Sequence, residues 1–182
     1  MRLSNIVTRK GDSGQTSIGS GETVSKDHPR VQAMGAIDHL NSTIGWSIVE
    51  ADNLLIKDLE CVQNDLFDLG AELAVPNLEN KKLKKNRLEW LEKKIENINN
   101  KLKPLSEFVL PGGSELSSRI HLARSECRNA ERRLVSIHKK SNNLHIPYLN
   151  RLSDYLFVLA RFANSKKGQK ENMWNNSVSN EL

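Results

Sequence analysis

The chain has 182 residues, which is enough for one compact domain with a hydrophobic core and short for two. Its formal net charge of +5 permits nucleic acid, an acidic surface or a small polyanion as a partner, without choosing between them. The two cysteines form neither a CxxC pair nor a disulfide framework, and neither a secretory apolar core nor a bilayer-spanning apolar run is visible. We therefore expect a cytoplasmic protein.

Residues 1–29 are rich in glycine, serine, threonine and lysine and have no sustained hydrophobic periodicity, which predicts a loop segment. A first helix is expected over residues 30–50, with Asp27 as its cap and Pro29 at its start. The next helix follows from leucine and valine residues that step alternately by four and three between Leu55 and Leu73. Pro76 should end it.

The same stepping from Leu88 to Leu102 predicts a third helix, which Pro104 should end. A Pro-Gly-Gly turn then precedes Ser114, which is placed to cap a fourth helix over residues 114–140. A fifth helix is expected over residues 147–164, and the polar tail 165–182 is expected to be disordered.

Five such segments with short connections predict an all-α fold, an up-and-down five-helix bundle. The expected organisation is an N-terminal loop segment over 1–29, a helical domain over 30–164 and a tail over 165–182.

A polar stripe runs along the predicted fourth helix beside its apolar face. Its members step by four and three residues, and Arg132 lies next to them: Ser117, His121, Arg124, Arg128 and Glu131. An amphipathic helix commonly has a charged outer face, and that remains one interpretation. The other is an anion site, because the planar guanidinium of arginine matches phosphate and carboxylate oxygens.

The segment TRKGDSGQTSIGSG, residues 8–21, is a second candidate anion site. Its glycines allow backbone amides to approach phosphate oxygens, and its hydroxyl side chains could add further contacts. Lys10 and Lys26 are further candidate phosphate partners, and Asp12 could orient the loop or a metal-bound water. A purely structural loop would look the same, so both interpretations stay open.

Other chemistries lack the residues that they need. No Walker A or Rossmann pattern is present, no glutamate precedes a histidine by three positions as in di-iron bundles, and no Gly-x-Ser-x-Gly elbow occurs. The five histidines are scattered rather than clustered with cysteine, which disfavours zinc. His121 belongs to the polar stripe, where a structural hydrogen-bonding role is commoner than a general base.

Five motifs in order resemble the PduO-type ATP:cob(I)alamin adenosyltransferases. They are TRKGDSGQTSIGSG, KDHPRVQAMGAIDHLNSTIG, FVLPGG, SSRIHLARSECRNAERRLV and YLNRLSDYLFVLARFAN, spanning residues 8–164. The resemblance implies a homotrimeric five-helix bundle in which ATP and a corrinoid meet at each subunit interface. A flavin-type donor would reduce the Co(II) corrinoid to Co(I), which attacks the 5′ carbon of ATP and releases triphosphate. Mg²⁺ would be held mainly by the phosphates.

The resemblance also implies roles for individual residues. ATP would be bound by the N-terminal loop and by four residues of the bundle, namely Thr8, Arg9, Lys10, Gly11, Asp12, Ser13, Gly14, Gln15, Thr16, Ser17, Lys26, Arg128, Glu131, Arg132 and Asn150. Arg128 and Phe108 would act in catalysis, Phe108 by closing the lower face of the corrin. Asp38 would pair with Arg124 of a neighbouring subunit beside the corrinoid.

Two positions depart from the common family pattern: Asn129 stands where an arginine is usual, and His39 where a glutamate is usual. A non-catalytic corrinoid or ATP sensor, or an adenosylcobalamin delivery chaperone of the same fold, is an alternative. A nucleic-acid binder is permitted by charge but lacks interleaved aromatic residues and a known motif.

Overall fold

The computed structural model describes residues 7–75, 82–137 and 143–175. Within these residues the chain forms a two-stranded sheet and five helices: β1 (Gln15–Ser17), β2 (Thr23–Ser25), α1 (Pro29–Ile48), α2 (Asn53–Ala74), α3 (Lys85–Asn99), α4 (Glu115–Ile137) and α5 (His145–Lys166). The predicted five helices are therefore confirmed, and the small sheet is an addition to them.

The core consists of the apolar residues whose spacing predicted the helices. Most of the stepping residues of α2 and α4 are fully buried: Leu59, Val62, Leu66, Leu69, Ile120, Ala123, Cys127, Ala130 and Leu134. Each buried leucine or isoleucine contributes roughly 1.5–3 kcal/mol relative to an exposed one, so these two faces supply much of the favourable free energy of folding.

Contacts between α1 and α2 show that these helices run in opposite directions. The side-chain amides of Asn41 and Gln63 each donate to the other residue's backbone carbonyl, over 3.5 and 3.2 Å. Near the start of α1, Arg30 donates over 3.0 Å to the carbonyl of Leu73, near the end of α2.

A buried polar cluster joins α2 to α3 and α5. Asp65 accepts two hydrogen bonds from Nε of Arg87, at 2.8 and 2.9 Å, and one from the hydroxyl of Tyr148 at 2.7 Å. Two turns onward along α2, Glu72 contacts Nε2 of His145 at 2.9 Å. Burial alone would raise the pKa of Glu72, but hydrogen bonds from His145 and two backbone amides outweigh it and lower that pKa.

Helix α4 runs antiparallel to both α1 and α5. Arg133, near the end of α4, donates over 2.6 Å to Gln32, near the start of α1. The backbone amide of Ser114, which precedes α4, donates over 2.8 Å to Oδ1 of Asn164, near the end of α5. Helix α3 is antiparallel to α2, because Arg87 contacts Asp65 while Lys94, later on α3, contacts Asp58, earlier on α2. Together these contacts give the predicted up-and-down arrangement.

The N-terminal segment has more regular secondary structure than the sequence predicts. Strands β1 and β2 pair antiparallel, with Thr16 opposite Val24. A turn between them is closed by a 2.9 Å hydrogen bond from the amide of Gly21 to the carbonyl of Ile18, whose side chain is buried. The prediction of a loop rather than a regular element was therefore wrong for residues 15–17 and 23–25.

Helix ends agree with the prediction at one cap and differ at another. Ser114 caps α4, because its hydroxyl accepts a 3.2 Å hydrogen bond from the amide of Ser117. The cap of α1 is His28 rather than Asp27, since Nδ1 of His28 accepts from the amide of Arg30 at 3.2 Å. Pro76 and residues 138–140 lie outside the described residues.

The start of the tail departs from the expectation of disorder. Residues 165–175 are described, and Val109 and Met173 form an antiparallel bridge. The amide of Leu110 donates over 2.8 Å to the carbonyl of Asn172, and the amide of Trp174 donates over 2.7 Å to the carbonyl of Phe108. The tail residues 176–182 lie outside the described residues.

Among the helices described, none combines the length and the apolarity that crossing a bilayer requires.

Candidate functional site

The N-terminal hairpin holds Lys26 against the glycine-rich loop. The amide of Lys26 donates over 2.9 Å to the carbonyl of Gly14. A Cβ placed on Gly11 would lie 3.0 Å from Nζ of Lys26, so a side chain at position 11 would press on the ammonium group. The structure therefore brings together the loop and the lysine that the sequence predicts as phosphate partners.

The loop itself is mostly exposed and has an unusual backbone. Arg9 has φ of 59°, the one positive φ at a non-glycine residue in the described part of the chain. Gly14, at φ of 80°, adopts the left-handed region at no steric cost. Strained backbone of the kind at Arg9 concentrates at ligand sites, because the surrounding contacts must hold it in place.

Packing against α2 fixes the hairpin to the bundle. A Cβ on Gly19 would lie 2.9 Å from Cγ2 of Val75 and 3.2 Å from the carbonyl oxygen of Ala74, so only glycine fits here without displacement. Ile18, the neighbouring residue, is 6% exposed. The loop is thus positioned by the C-terminal end of α2.

Arg128 and Arg132 are exposed on α4 and have no ion pair with another described residue. Beside them Glu131 contacts α5, because Nδ2 of Asn150 donates to it over 3.4 Å. Asn150 in turn accepts a 2.8 Å hydrogen bond from Arg151. The predicted ATP residues of α4 and α5 are therefore neighbours, with two guanidinium groups available to an anion.

The hairpin and this arginine pair lie toward the same end of the bundle. The side chain of Gln32 connects the two regions. Its Nε2 donates over 2.9 Å to the backbone carbonyl of Asp27, and its Oε1 accepts a hydrogen bond from Arg133. No hydrogen bond or ion pair joins loop residues 8–17 to Arg128 or Arg132 within the described parts of one chain.

Phe108 lies near the opposite end of α4. It is 77% exposed, and its ring meets Trp174 edge-on with ring centroids 6.4 Å apart. The sequence reasoning missed Trp174, because it lies in the polar segment that was expected to be disordered. An exposed aromatic pair of this kind is typical of a surface that receives a ligand or partner.

Arg124 and His121 both pack beside Phe157 of α5. The guanidinium carbon of Arg124 lies 6.0 Å from the centre of the Phe157 ring, and its Nε is buried without a hydrogen bond among the described residues. Loss of solvation lowers the pKa of Arg124, and the positive charge of Arg128 adds to that effect. An anion or carboxylate beside Arg124 would relieve both penalties.

His121 is 3% exposed, and neither of its ring nitrogens has a hydrogen-bond partner among the described residues. Burial and the charge of Arg124 lower its pKa to about 4, against an opposing effect of Glu171. His121 is therefore neutral at physiological pH. The structural hydrogen bond suggested for it from the sequence is not formed within the described chain.

Asp38 is exposed on α1 and does not contact Arg124 within the chain. It lines a shallow pocket with Phe67 of α2, which is 70% exposed. Next to Asp38, His39 lies 3.3 Å from Glu126 on α4, so this departure from the family pattern forms a contact between the two helices. Asn129 donates to the same Glu126 over 3.3 Å.

No group of three or more histidine, cysteine, aspartate or glutamate side chains is arranged to hold a metal ion in the ranges that the structure describes.

Residues 6–163 match the family model described as cobalamin adenosyltransferase. The chain is 42% identical over 179 residues to a cobalamin adenosyltransferase of Cupriavidus metallidurans, covering 95% of each chain. It is 40% identical over 172 residues to a corrinoid adenosyltransferase of Bacillus subtilis, covering 90% of this chain and 88% of the relative.

Solved structures agree with these relatives. A phenylalanine-to-alanine variant of a PduO-type ATP:corrinoid adenosyltransferase from Lactobacillus reuteri, complexed with cobalamin and ATP, is 36% identical with a TM-score of 0.88. The match covers 94% of this chain and all, 100%, of that one. An arginine-to-lysine variant complexed with ATP is 38% identical with a TM-score of 0.87, covering 93% and 100% of the two chains. The chain therefore belongs to the cobalamin adenosyltransferase family.

Proposed function

We propose that the protein transfers the 5′-deoxyadenosyl group of ATP to the Co(I) centre of a reduced corrinoid. The electron pair of Co(I) forms a bond to the 5′ carbon, the bond from that carbon to the phosphate oxygen breaks, and triphosphate leaves. The observation that carries the proposal is the pairing of Lys26 with the glycine loop at the same end of the bundle as the uncompensated Arg128 and Arg132. Relatives of the chain are named cobalamin or corrinoid adenosyltransferases, which agrees with adenosyl transfer to a corrinoid.

The N-terminal loop, residues 8–17, and Lys26 would bind the triphosphate together with Arg128, Glu131, Arg132 and Asn150. The guanidinium groups of the two arginines and the ammonium group of Lys26 would stabilise the negative charge that develops on the leaving triphosphate. The exposed backbone of the loop supplies amides to the phosphate oxygens, and Mg²⁺ would accompany the phosphates.

The corrinoid would lie near Phe108 and Arg124. Phe108 would cover the lower face of the corrin and keep a fifth ligand away from Co(II). The resulting four-coordinate Co(II) would be easier to reduce by one electron to Co(I), with a flavin-type donor supplying the electron. Because the nucleophile belongs to the substrate, the protein's own residues orient the substrates, exclude water and stabilise charge.

A homotrimer would complete the site. Arg124 has a buried Nε without a partner in the described chain, and Asp38 is an exposed carboxylate. A pairing of these two residues across subunits would satisfy both, and Phe67 beside Asp38 offers apolar area for burial in the same contact.

An assay with cob(I)alamin and ATP under anaerobic conditions tests the proposal. We expect formation of adenosylcobalamin, followed by its absorbance, and release of one triphosphate per adenosyl group. Binding of both substrates without conversion would instead support the sensor or the delivery chaperone.

A further inference from the structure

One buried arginine holds together the two segments that meet at Phe108. Arg161 of α5 is 3% exposed and donates from Nε and Nη2 to the two carboxylate oxygens of Glu171, over 2.7 and 3.1 Å. The same Nη2 donates over 2.8 Å to the carbonyl of Lys103. A bidentate, charge-assisted contact of this type fixes the relative orientation of the two side chains more tightly than a single hydrogen bond does.

Glu171 begins a short segment, residues 171–174, that pairs with the chain around Phe108. Hydrogen bonds from the amide of Leu110 to Asn172 and from the amide of Trp174 to Phe108 attach the segment on both sides. Between them Val109 and Met173 form the antiparallel bridge. The backbone of Phe108 is thus positioned by this C-terminal segment, which is itself held by Arg161.

The side chain of Phe108 has little other support. It is 77% exposed, and the ring contact described for it is the edge-on one with Trp174. An exposed side chain with few neighbours samples several rotamers, which opposes a fixed position against a ligand. Whatever orders residues 171–174 therefore also orders Phe108.

We propose that the ion pair between Arg161 and Glu171 is a positioning device for Phe108, which acts by holding the C-terminal segment 171–174 against the loop that carries it. The inference rests on the proposed function, since it concerns the residue that would cover the lower face of the corrin. Arg161 and Glu171 are positioning residues in it, because neither would touch the reacting atoms.

The principal test is Glu171→Gln in the full-length protein. We expect the fraction of four-coordinate Co(II) corrinoid that forms in the presence of ATP to fall at least about fivefold, as measured by paramagnetic resonance, because Phe108 is no longer held. The KM for ATP should change less than about twofold, since the ATP residues lie toward the other end of α4. If the KM for ATP rose by about the same factor as the four-coordinate fraction fell, the variant would have a general structural defect and the proposal would be overturned.

Lys166→Gln is the matched control. Lys166 is also on α5 and forms a 2.9 Å ion pair with Asp52, which does not belong to the C-terminal segment. Its loss should leave the four-coordinate fraction unchanged. If both variants reduced that fraction alike, any α5 ion pair would suffice and the specific role of Glu171 would be rejected. Glu171→Asp, which keeps the charge but shortens its reach, replaces the glutamine variant if the latter does not fold.

A double-mutant cycle with Phe108→Ala tests whether Glu171 acts through Phe108. The double variant should form four-coordinate corrinoid no less than Phe108→Ala alone, because the position of an absent ring no longer matters. A further fivefold decrease in the double variant would contradict the proposal.

Hydrogen exchange gives a readout that does not depend on turnover. The amides of Leu110 and Trp174 should exchange at least about tenfold faster in Glu171→Gln, while the amide of Leu40 in α1 keeps its rate. Unchanged protection of Leu110 and Trp174 would overturn the positioning role. A parent protein that fails to convert cob(I)alamin would instead contradict the proposed function and leave this geometric test intact.

Discussion

The exposed side chain of Arg128 is a candidate anion-binding group because no acidic side chain among the described residues neutralises it. It has no carboxylate partner in the described chain, although it lies in a helix with acidic neighbours. An arginine held near a second arginine without compensation costs Coulomb energy that an arriving polyanion would recover.

We expect Arg128→Ala to lower kcat/KM for ATP and cob(I)alamin roughly 30- to 1,000-fold, which corresponds to about 2–4 kcal/mol of lost transition-state stabilisation. Steady-state kinetics would measure it. Arg133→Ala removes the same charge from the same helix and should have a much smaller effect, since Arg133 contacts Gln32. If Arg128→Ala had the same kcat/KM as the parent protein, Arg128 would not belong to the ATP site.

His121 makes stability depend on pH within a defined window. Its folded-state pKa is lowered to about 4, so between about pH 6.5 and 4 the unfolded chain binds a proton that the folded chain does not. Stability should therefore decrease as pH falls through this window. Between pH 7 and pH 5 the loss from this residue is about 2 kcal/mol.

His121→Leu should abolish that part of the pH dependence, as measured by urea unfolding at pH 7 and pH 5. Glu72 and Asp52 do not confound the comparison, because their pKa values are lowered and their contributions are lost at more acidic pH. The same decrease in both proteins would mean that another group titrates in this window.

At the scale of elements, hydrophobic periodicity identified the helices but not the hairpin. Leu66 and Leu134 belong to long rows of buried residues at helical spacing, and such rows are visible in one sequence. Strands β1 and β2 have three residues each and little apolar alternation, and the hairpin depends on Ile18 and Gly19 packing at the end of α2. That contact joins residues far apart in sequence, so local pattern could not reveal it.

The same contact gives a prediction for the hairpin. Gly19→Val should displace the hairpin from Val75 and raise the KM for ATP roughly tenfold, which corresponds to about 1.4 kcal/mol of binding. Circular dichroism should report unchanged helix content. Ser20→Ala, in the exposed turn beside it, is the control and should bind ATP normally. If the valine variant had the parent KM, the hairpin's position would not matter for ATP.

Across the whole molecule, the candidate site draws on segments that the sequence could not bring together. Its individual motifs were recognisable, and the structure places Lys26 beside the glycine-rich loop and Asn150 beside Glu131. The contact between Phe108 and Trp174 was not foreseen, because it depends on tail residues that look disordered by composition. Composition alone cannot register a long-range backbone pairing.

Subunit assembly gives the prediction at this scale. Asp38→Arg should weaken the proposed trimer, with a cost of about 2–5 kcal/mol for a charged partner left without its complement. The exchange of both residues, Asp38→Arg with Arg124→Asp, should restore much of the association. Sedimentation velocity would measure the distribution of species. If neither variant changed it, Asp38 and Arg124 would not pair across subunits.

The spacing of Arg124 and Arg128, one helical turn apart, has a thermodynamic consequence. The charge of Arg128 opposes the charged form of Arg124, so an anion that neutralises Arg128 also makes it easier to keep Arg124 charged. Any contact that requires charged Arg124 is then favoured by the anion, and by reciprocity that contact tightens the anion's binding. If the proposed trimer forms through Arg124, nucleotide affinity should consequently rise with protein concentration as the subunits associate.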